Sequence, residues 1–545
     1  MTKKKKAVAP VSAPQAEAPA PPSMWRKVRE NAEAVIIAII LALIIRHYSL
    51  EAFEIPTGSM APGLYGVHIN ADCPNCQTVD AVGLQIDQFT NQLRLSLTRG
   101  YIYEGPCPEC GLEILQGVTR HDSQVHCARC EADRRGTPEH YREVPAFARV
   151  EVQCSECTYH YTHYFEPKES VSGHKILVNK FSYEAGDPER WQVIVFKFNR
   201  QRNYIKRLVG LPGETILVVD GDIHINGEIE RKPLHVQEDI WFQVHDTDIP
   251  EIGLMGNAWR EKGGFTPMEE GTSLRFNALD GVAQLRYVRP VRNIYSYNGT
   301  RDNHNRTEPV RDLRALLDLK VNGVDAAGSP RVWVDVRNDD IVYRLALPIG
   351  GGTGEVLRVP AELANETHLT EETREVVGTS TRGWSVFATL PEGTKIDKSR
   401  THEIDFSLVD RQVRVILDGN LLLEEPIEAR DYSSGASSEG RRTDDADISP
   451  TGNDVTLRVR HCGGQVDRIR LFRDIHYTRH GEYYRHAVNF AYQIGEDGYF
   501  AMGDNSPSSL DSRAWGALRH QNLLGRGFAI FWPALPWRFE VGFIR

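Results

Sequence analysis

Long apolar runs, a cationic excess and cysteines are all scarce in this 545-residue chain. One apolar run and a mean hydropathy of -0.41 exclude a multi-span membrane protein. Sixty-four Lys+Arg against 74 Asp+Glu leave a net charge of -10. A protein-wide nucleic-acid surface is thereby excluded, and no nucleic-acid partner is expected. Helical periodicity is also rare: only the apolar run makes a convincing helical claim, so the chain reads as mainly β. What is present is a globular mixture, 41% hydrophobic and 25% charged, which excludes wholesale disorder. The length implies three or more domains.

Met1 to Pro22 is rich in Lys, Ala and Pro, cannot build a core and reads as a disordered tail. Ala34 to Ile45 is unbroken apolar sequence, and extension to 31–50 supplies the roughly 20 residues a bilayer requires. No small-x-small cleavage pattern follows it, so the expectation is an uncleaved transmembrane helix rather than a secretory signal. Lys3 to Lys6, Arg26, Lys27 and Arg29 precede it. Their charge predicts a single-pass protein of the cell membrane, with a cytoplasmic N-terminus and an extracytoplasmic catalytic domain.

Three polar segments carry the chemistry. Glu54-Ile-Pro-Thr-Gly-Ser-Met60 presents Thr57 and Ser59 from a tight turn. Tyr204-Ile-Lys-Arg-Leu-Val-Gly-Leu-Pro-Gly213 sets Lys206 in a β-patterned run. Met502-Gly-Asp-Asn-Ser-Pro-Ser-Ser-Leu-Asp-Ser-Arg513 is too rich in Asp and Ser for an ordinary connection. Taken singly, each has an ordinary reading as a turn, a solvated strand lysine or a loop.

Together they resemble the type I signal peptidases, membrane-bound serine endopeptidases that remove signal peptides from exported proteins. The resemblance rests on IPTGSM, on YIKRLVGLPGE followed by IHINGE, and on GDNSPSSLDSRAWG followed by NLLGRG. It covers roughly 25–68, 175–232 and 494–533. It implies Ser59 as nucleophile and Lys206 as general base. It also implies an oxyanion hole from the Thr57 hydroxyl and the Ser59 N–H, with Ser509 orienting the lysine and Asp504, Asp511 and Arg513 bracing the site. No cofactor for catalysis is implied. The implied substrates are signal peptides with small residues at -1 and -3, held as an extended strand, and membrane lipid is an implied partner. Two positions depart from the family pattern. Ser506 stands where an Arg is usual, weakening an ion pair with an Asp of the loop, and Gly63 stands where a Thr is usual.

The physical demand on this set is specific. A serine hydroxyl needs a base to take its proton, and a lysine serves only when neutral. Bringing its pKa from about 10.4 to 7–8 costs roughly 4 kcal/mol, which burial can supply. Ile205, Leu208 and Val209 flank it with apolar side chains. An oxyanion donor already in place is worth about 3–4 kcal/mol. No histidine is required.

Two insertions lengthen the chain. The first, 71–173, holds four CxxC pairs: Cys73 and Cys76, Cys107 and Cys110, Cys127 and Cys130, Cys154 and Cys157. Eight such cysteines suffice for two structural zinc sites. Sequential pairing as two zinc ribbons and a nested pairing of the second with the third are both open, and His121, His126, His160 and His163 are substitute ligands. Disulfides are the rival reading in an oxidising compartment. Redox chemistry is a third, although no thioredoxin-like βαβ pattern surrounds any pair.

The second insertion, 233–479, alternates at period two from Arg331 onward, with Asp418-Gly419 as a hairpin signal. It reads as a β-sandwich that loosely resembles concanavalin-like jelly rolls, with a glycan or protein ligand, or a structural role, to be expected. Ser433 to Asp447 reads as a mobile loop, and Cys462 as a thiol without a role.

The expected division is a tail (1–30), a transmembrane helix (31–50), a discontinuous peptidase core (51–70, 174–232 and 480–545), a zinc-ribbon-like insertion (71–173) and a β-sandwich-like insertion (233–479). Two rival functions are a self-cleaving Ser-Lys regulator and an inactive binding or scaffold protein. The apolar run and the lack of a DNA-binding head oppose the first. The joint presence of Ser59, Lys206, Thr57 and Ser509 opposes the second.

Overall fold

The computed structural model describes residues 25, 29, 31–40, 50–86, 93–121, 123–127, 129–199, 202–249, 258–268, 273–299, 308–325, 328–338, 341–360, 384–427, 454–481, 483–532, 534–535, 538–539 and 542–544. The expected tail at Met1 to Pro22 and the expected loop at Ser433 to Asp447 lie outside them.

The membrane placement requires correction. Among the described residues no helix is long and apolar enough to cross a membrane. The described helix runs over 31–40, which at 1.5 Å per residue is about 15 Å, half of the roughly 30 Å hydrocarbon layer. Residues 41–49 lie outside the description. Leu50 is not helical: Leu50–Glu54 is a strand paired antiparallel with Lys175–Asn179. The single-pass placement with an extracytoplasmic catalytic domain is overturned on this finding.

The chain is mainly β, as expected. The sheet that carries the polar motifs runs in the order Leu50–Glu54, Lys175–Asn179, Leu523–Trp532, Val193–Asn199, Arg202–Gly210, Gly498–Met502, Leu518–Arg519. In sequence Trp191 to Phe198 reads as an alternating core strand, yet Val193, Ile194, Val195 and Phe196 are all buried. The strand is central, with Val193 and Val195 packed into one apolar cluster and Ile194 and Phe196 into another. A strand covered on both faces loses the alternation of a half-buried one.

Turn chemistry sets the hairpins. Asp220-Gly221 joins Thr215–Val219 to Asp222–Ile225, Asn226-Gly227 joins that strand to Glu228–Ile229, and Asp418-Gly419 joins Gln412–Leu417 to Asn420–Pro426. All six turn residues have positive φ, between 51° and 97°, as two-residue type I′ turns demand. A short helix at Leu234–Ile240 went unrecognised in the sequence. Only seven residues long, it buries Val236 and Ile240 at a helical spacing.

Within 233–479, two large antiparallel sheets share one core. One is centred on Leu313–Val324 and Cys462–Arg473, the other on Arg331–Asn338 and Val455–Arg460. Leu317, Phe406 and Ile469 from the first join Val334, Leu345 and Leu457 from the second in a single apolar cluster. The buried Lys232 ammonium, just before this segment, is held by Asp474 at 2.8 Å and by Asp410.

Candidate active site

Successive residues of a strand face opposite ways, and Arg202–Gly210 uses both faces at one place. Lys206 and Arg207 are each buried. The Lys206 ammonium nitrogen lies 2.5 Å from Ser59 Oγ and also donates to the Ile205 carbonyl at 2.9 Å. Arg207 makes a two-pronged contact with Asp504, both bonds at 2.8 Å, and donates to the Trp191 carbonyl. The two residues are 147 positions apart for Ser59 and Lys206 and 297 apart for Arg207 and Asp504, so the fold alone assembles the site.

Burial pushes the Lys206 amine down to about 8, against the opposing charges of Asp511 and Asp504. Neighbouring carboxylates ordinarily keep a lysine charged. Here each is pinned by its own arginine. Asp504 is bound by Arg207, and Asp511 receives Arg513 Nε at 2.9 Å and Nη2 at 2.7 Å. Burial works to raise the Asp511 carboxyl, but the Arg513 guanidinium outweighs it and holds the group below the usual carboxylate range. Charge-assisted bidentate pairs of this kind fix geometry as well as charge.

The loop after Gly498–Met502 carries the rest. Asn505 N–H donates to the Ser59 carbonyl at 3.1 Å, and Gly503 N–H donates to Asp511 at 3.1 Å. Gly503 packs so tightly that an added Cβ would stand 2.4 Å from the Ser59 carbonyl oxygen and 2.3 Å from Ser509 Oγ. Ser509 is buried there and makes no hydrogen bond to Lys206. Thr57 is exposed at the rim, two residues from the buried Ser59.

One of the two departures from the family pattern has a local account. Ser506 Oγ accepts from Arg513 Nη1 at 2.6 Å and from the Thr478 N–H at 2.9 Å, so Arg513 supplies the guanidinium that Asp511 needs. At Gly63 an added Cβ would meet nothing closer than 3.7 Å, so no steric demand explains the glycine.

Arg207, Asn505 and Tyr484 are site residues that sequence reasoning missed. The first two lie inside motifs already singled out. Tyr484, whose hydroxyl donates to the Ser506 and Ser509 carbonyls and whose ring stacks 4.0 Å from the Arg513 guanidinium, carried no local signal.

The eight CxxC cysteines form two groups, Cys73, Cys76, Cys154 and Cys157, and Cys107, Cys110, Cys127 and Cys130. Of the two pairings the sequence leaves open, the nested one is found, first pair with fourth and second with third. Antiparallel pairing of the intervening strands folds the segment back on itself and brings its ends together. Sulfur separations are 3.5 Å for Cys73 to Cys157 and Cys76 to Cys154, 3.8 Å for Cys107 to Cys130, and 3.4 Å for Cys110 to Cys127. Four thiolates around zinc at about 2.3 Å stand about 3.8 Å apart, whereas a disulfide needs about 2.05 Å. The spacing fits a metal and not a bond.

Comparison with known proteins agrees with the resemblance. The family model "Signal peptidase, peptidase S26" matches residues 162–250 and 453–532, which include Lys206 and the Gly503 to Arg513 loop. Signal peptidase I of Bacillus caldolyticus is 39% identical over 62 residues, 11% of this chain and 34% of that protein. Signal peptidase I of Pseudomonas fluorescens is 45% identical over 71 residues, 10% of this chain and 25% of that protein. The chain thus spans a third or less of the length of these relatives. A solved carbohydrate-binding module, CBM66 of Bacillus subtilis, overlaps 40% of this chain and 93% of its own at 10% identity with a TM-score of 0.22, too low to bear on fold or ligand.

Proposed function

We propose that this chain is a serine endopeptidase that removes N-terminal signal peptides from preproteins through a Ser59–Lys206 dyad. The observation that carries the reading is the 2.5 Å contact between a buried amine, which burial pushes down to about 8, and a hydroxyl on a tight loop. In this scheme Lys206 takes the Ser59 proton as Oγ attacks the scissile carbonyl. The Thr57 hydroxyl and the Ser59 N–H receive the oxyanion. The Lys206 ammonium then protonates the leaving amine, and water, activated by the same amine, releases the acyl group. Ser509, Asp504, Asp511 and Arg513 brace the loop. The substrate class, small residues at -1 and -3, follows the family resemblance.

The domain reading accompanies it: a peptidase core of 51–70, 174–232 and 480–545, a zinc-ribbon-like insertion at 71–173 and a β-sandwich-like insertion at 233–479. The two cysteine groups would hold one structural zinc ion each, a metal that supplies folding energy there and no catalytic step.

The test is a cleavage assay on a model preprotein. Wild type should yield mature product, and Ser59→Ala should lower kcat/KM by at least about a thousandfold. Turnover by Ser59→Ala equal to wild type would remove the serine from its role, whereas no cleavage by wild type would favour the binding-protein reading.

A further inference from the structure

Three features outside the dyad compete for a role: the acidic group Asp222, Asp312 and Asp410 beside a cavity of about 670 Å³, the cavity of about 290 Å³ between Tyr65, Ser155 and Tyr295, and the Ser296–Asn298 turn. The turn carries the inference furthest, because its contacts end on the nucleophile loop itself.

We propose that Asn298, which belongs to the 233–479 segment and not to the peptidase-like sheet, is a positioning residue for Ser59 and acts through Asn505. The proposal rests on the Ser59–Lys206 reading and extends it.

Asn298 and Asn505 form a reciprocal amide pair: Asn298 Nδ2 donates to Asn505 Oδ1 at 2.9 Å, and Asn505 Nδ2 donates to Asn298 Oδ1 at 2.7 Å. The same Asn505 Nδ2 donates to the Gly58 carbonyl at 3.0 Å, while the Asn505 backbone N–H donates to the Ser59 carbonyl. Asn505 therefore grips two consecutive residues of the nucleophile loop. Its side chain is almost wholly buried, at 1% exposure, where an amide without partners is costly. The structure gives it one side-chain partner that both donates and accepts. That partner is Asn298.

The turn that presents Asn298 is itself fixed. Tyr297 lies against the loop so closely that a Cβ on Gly58 would stand 1.8 Å from its ring, and one on Gly83 would stand 2.2 Å away. The Asn298 N–H donates to the Tyr295 carbonyl, and the Gly299 N–H to Ser296. Ser296 lies against the Asp80 carboxylate, which also receives the Ser155 N–H at 3.3 Å and the Ser155 hydroxyl at 2.6 Å. Ser155 sits between Cys154 and Cys157. A path of hydrogen bonds joined by short stretches of chain thus leads from a cysteine group through Asp80 and the turn to the backbone of Gly58 and Ser59. The physical claim is that losing Asn298 lets the Asn505 amide rotate and the loop relax. The result is a longer Ser59–Lys206 separation in the reactive state, without change to surfaces that bind substrate.

Full-length Asn298→Ala and Asn298→Asp are to be assayed on the model preprotein beside Asn505→Ala and the Asn298→Ala/Asn505→Ala double variant. Asn298→Ala should lower kcat about tenfold, the loss of one or two neutral hydrogen bonds, and leave KM within about twofold. Asn298→Asp keeps the acceptor for Asn505 Nδ2 but sets a carboxylate oxygen against Asn505 Oδ1, so it should lower kcat at least as far as Asn298→Ala does. The double variant should be no slower than Asn505→Ala alone, since both act on one contact. An unchanged kcat in Asn298→Ala, a rise in KM with kcat preserved, or losses that multiply in the double variant would each overturn the assignment. Should Asn298→Ala fail to fold, Asn298→Asp decides alone: a kcat within about twofold of wild type contradicts the proposal. Failure of the dyad reading is separately visible, because Ser59→Ala would then cleave as wild type does.

Discussion

Lys206→Met is expected to abolish cleavage and to stabilise the folded protein at pH 7. Activity should fall by at least about a thousandfold, because methionine has the length of lysine and none of its basicity. The gain in stability follows from linkage. Burial holds the folded-state amine at about 8, while an unfolded lysine titrates near 10.4. Between those values the unfolded chain binds the extra proton, so stability rises with pH from about 8 to about 10.4. Below pH 8 the folded state carries the whole penalty, about 3 kcal/mol. Methionine removes it. The bonds to Ser59 and to the Ile205 carbonyl are lost in exchange, returning about 1–2 kcal/mol. A net stabilisation of about 1–2 kcal/mol at pH 7 should therefore shrink to nothing, or reverse, by pH 10. Urea unfolding of both proteins at the two pH values measures it. A variant less stable than wild type at pH 7 would show that the amine there is not strained by burial.

The second large effect concerns the cysteine groups. Purified protein should carry two zinc ions per chain, one for each group of four, and chelation should unfold the 71–173 segment. Structural zinc contributes about 10–16 kcal/mol in small zinc-finger peptides, far more than the core of a hundred-residue segment can replace. The apolar clusters in that segment are small: one holds Ile69, Val82, Val152 and Phe165, and another is built around Tyr103 and Cys107. Because Ser155 lies between Cys154 and Cys157 of the first cysteine group, chelated protein should also lose cleavage, while the large apolar core shared by Leu317 and Leu457 keeps its own melting transition. Metal analysis together with thiol counting and calorimetry checks this. Eight thiols that resist alkylation without metal would indicate disulfides instead.

How far the sequence carried these conclusions depends on whether a feature is local. The hairpins were legible because Asp-Gly and Asn-Gly pairs relieve the positive φ a two-residue turn imposes. Ser59 and Lys206 could be singled out because motif and chemistry agree, and the strands after Arg331 because Val332, Val334 and Val336 alternate with Trp333 and Asp335 in sequence, although both faces are buried. Val193–Asn199 misled because both of its faces are buried. The choice between sequential and nested cysteine pairing was hidden because spacing along the chain says nothing about which hairpin folds back. The helix at 31–40 is apolar as expected, but Glu51 and Phe53 belong to a strand that pairs with Lys175–Asn179, and the continuation to Leu50 fails there. Asn298 and Tyr484 had no readable signal, since each acts through contacts made more than 20 residues away in sequence.

The pH dependence of kcat/KM for wild-type cleavage tests the central claim most directly, because it reports the protonation of the free enzyme's base. The uncharged amine is the active form. The rate should therefore climb about tenfold per pH unit through the acid range and level off near pH 8, where burial sets the Lys206 amine. A profile already flat between pH 5 and 7, or one still rising unchanged beyond pH 10, would contradict a lysine made basic by its surroundings.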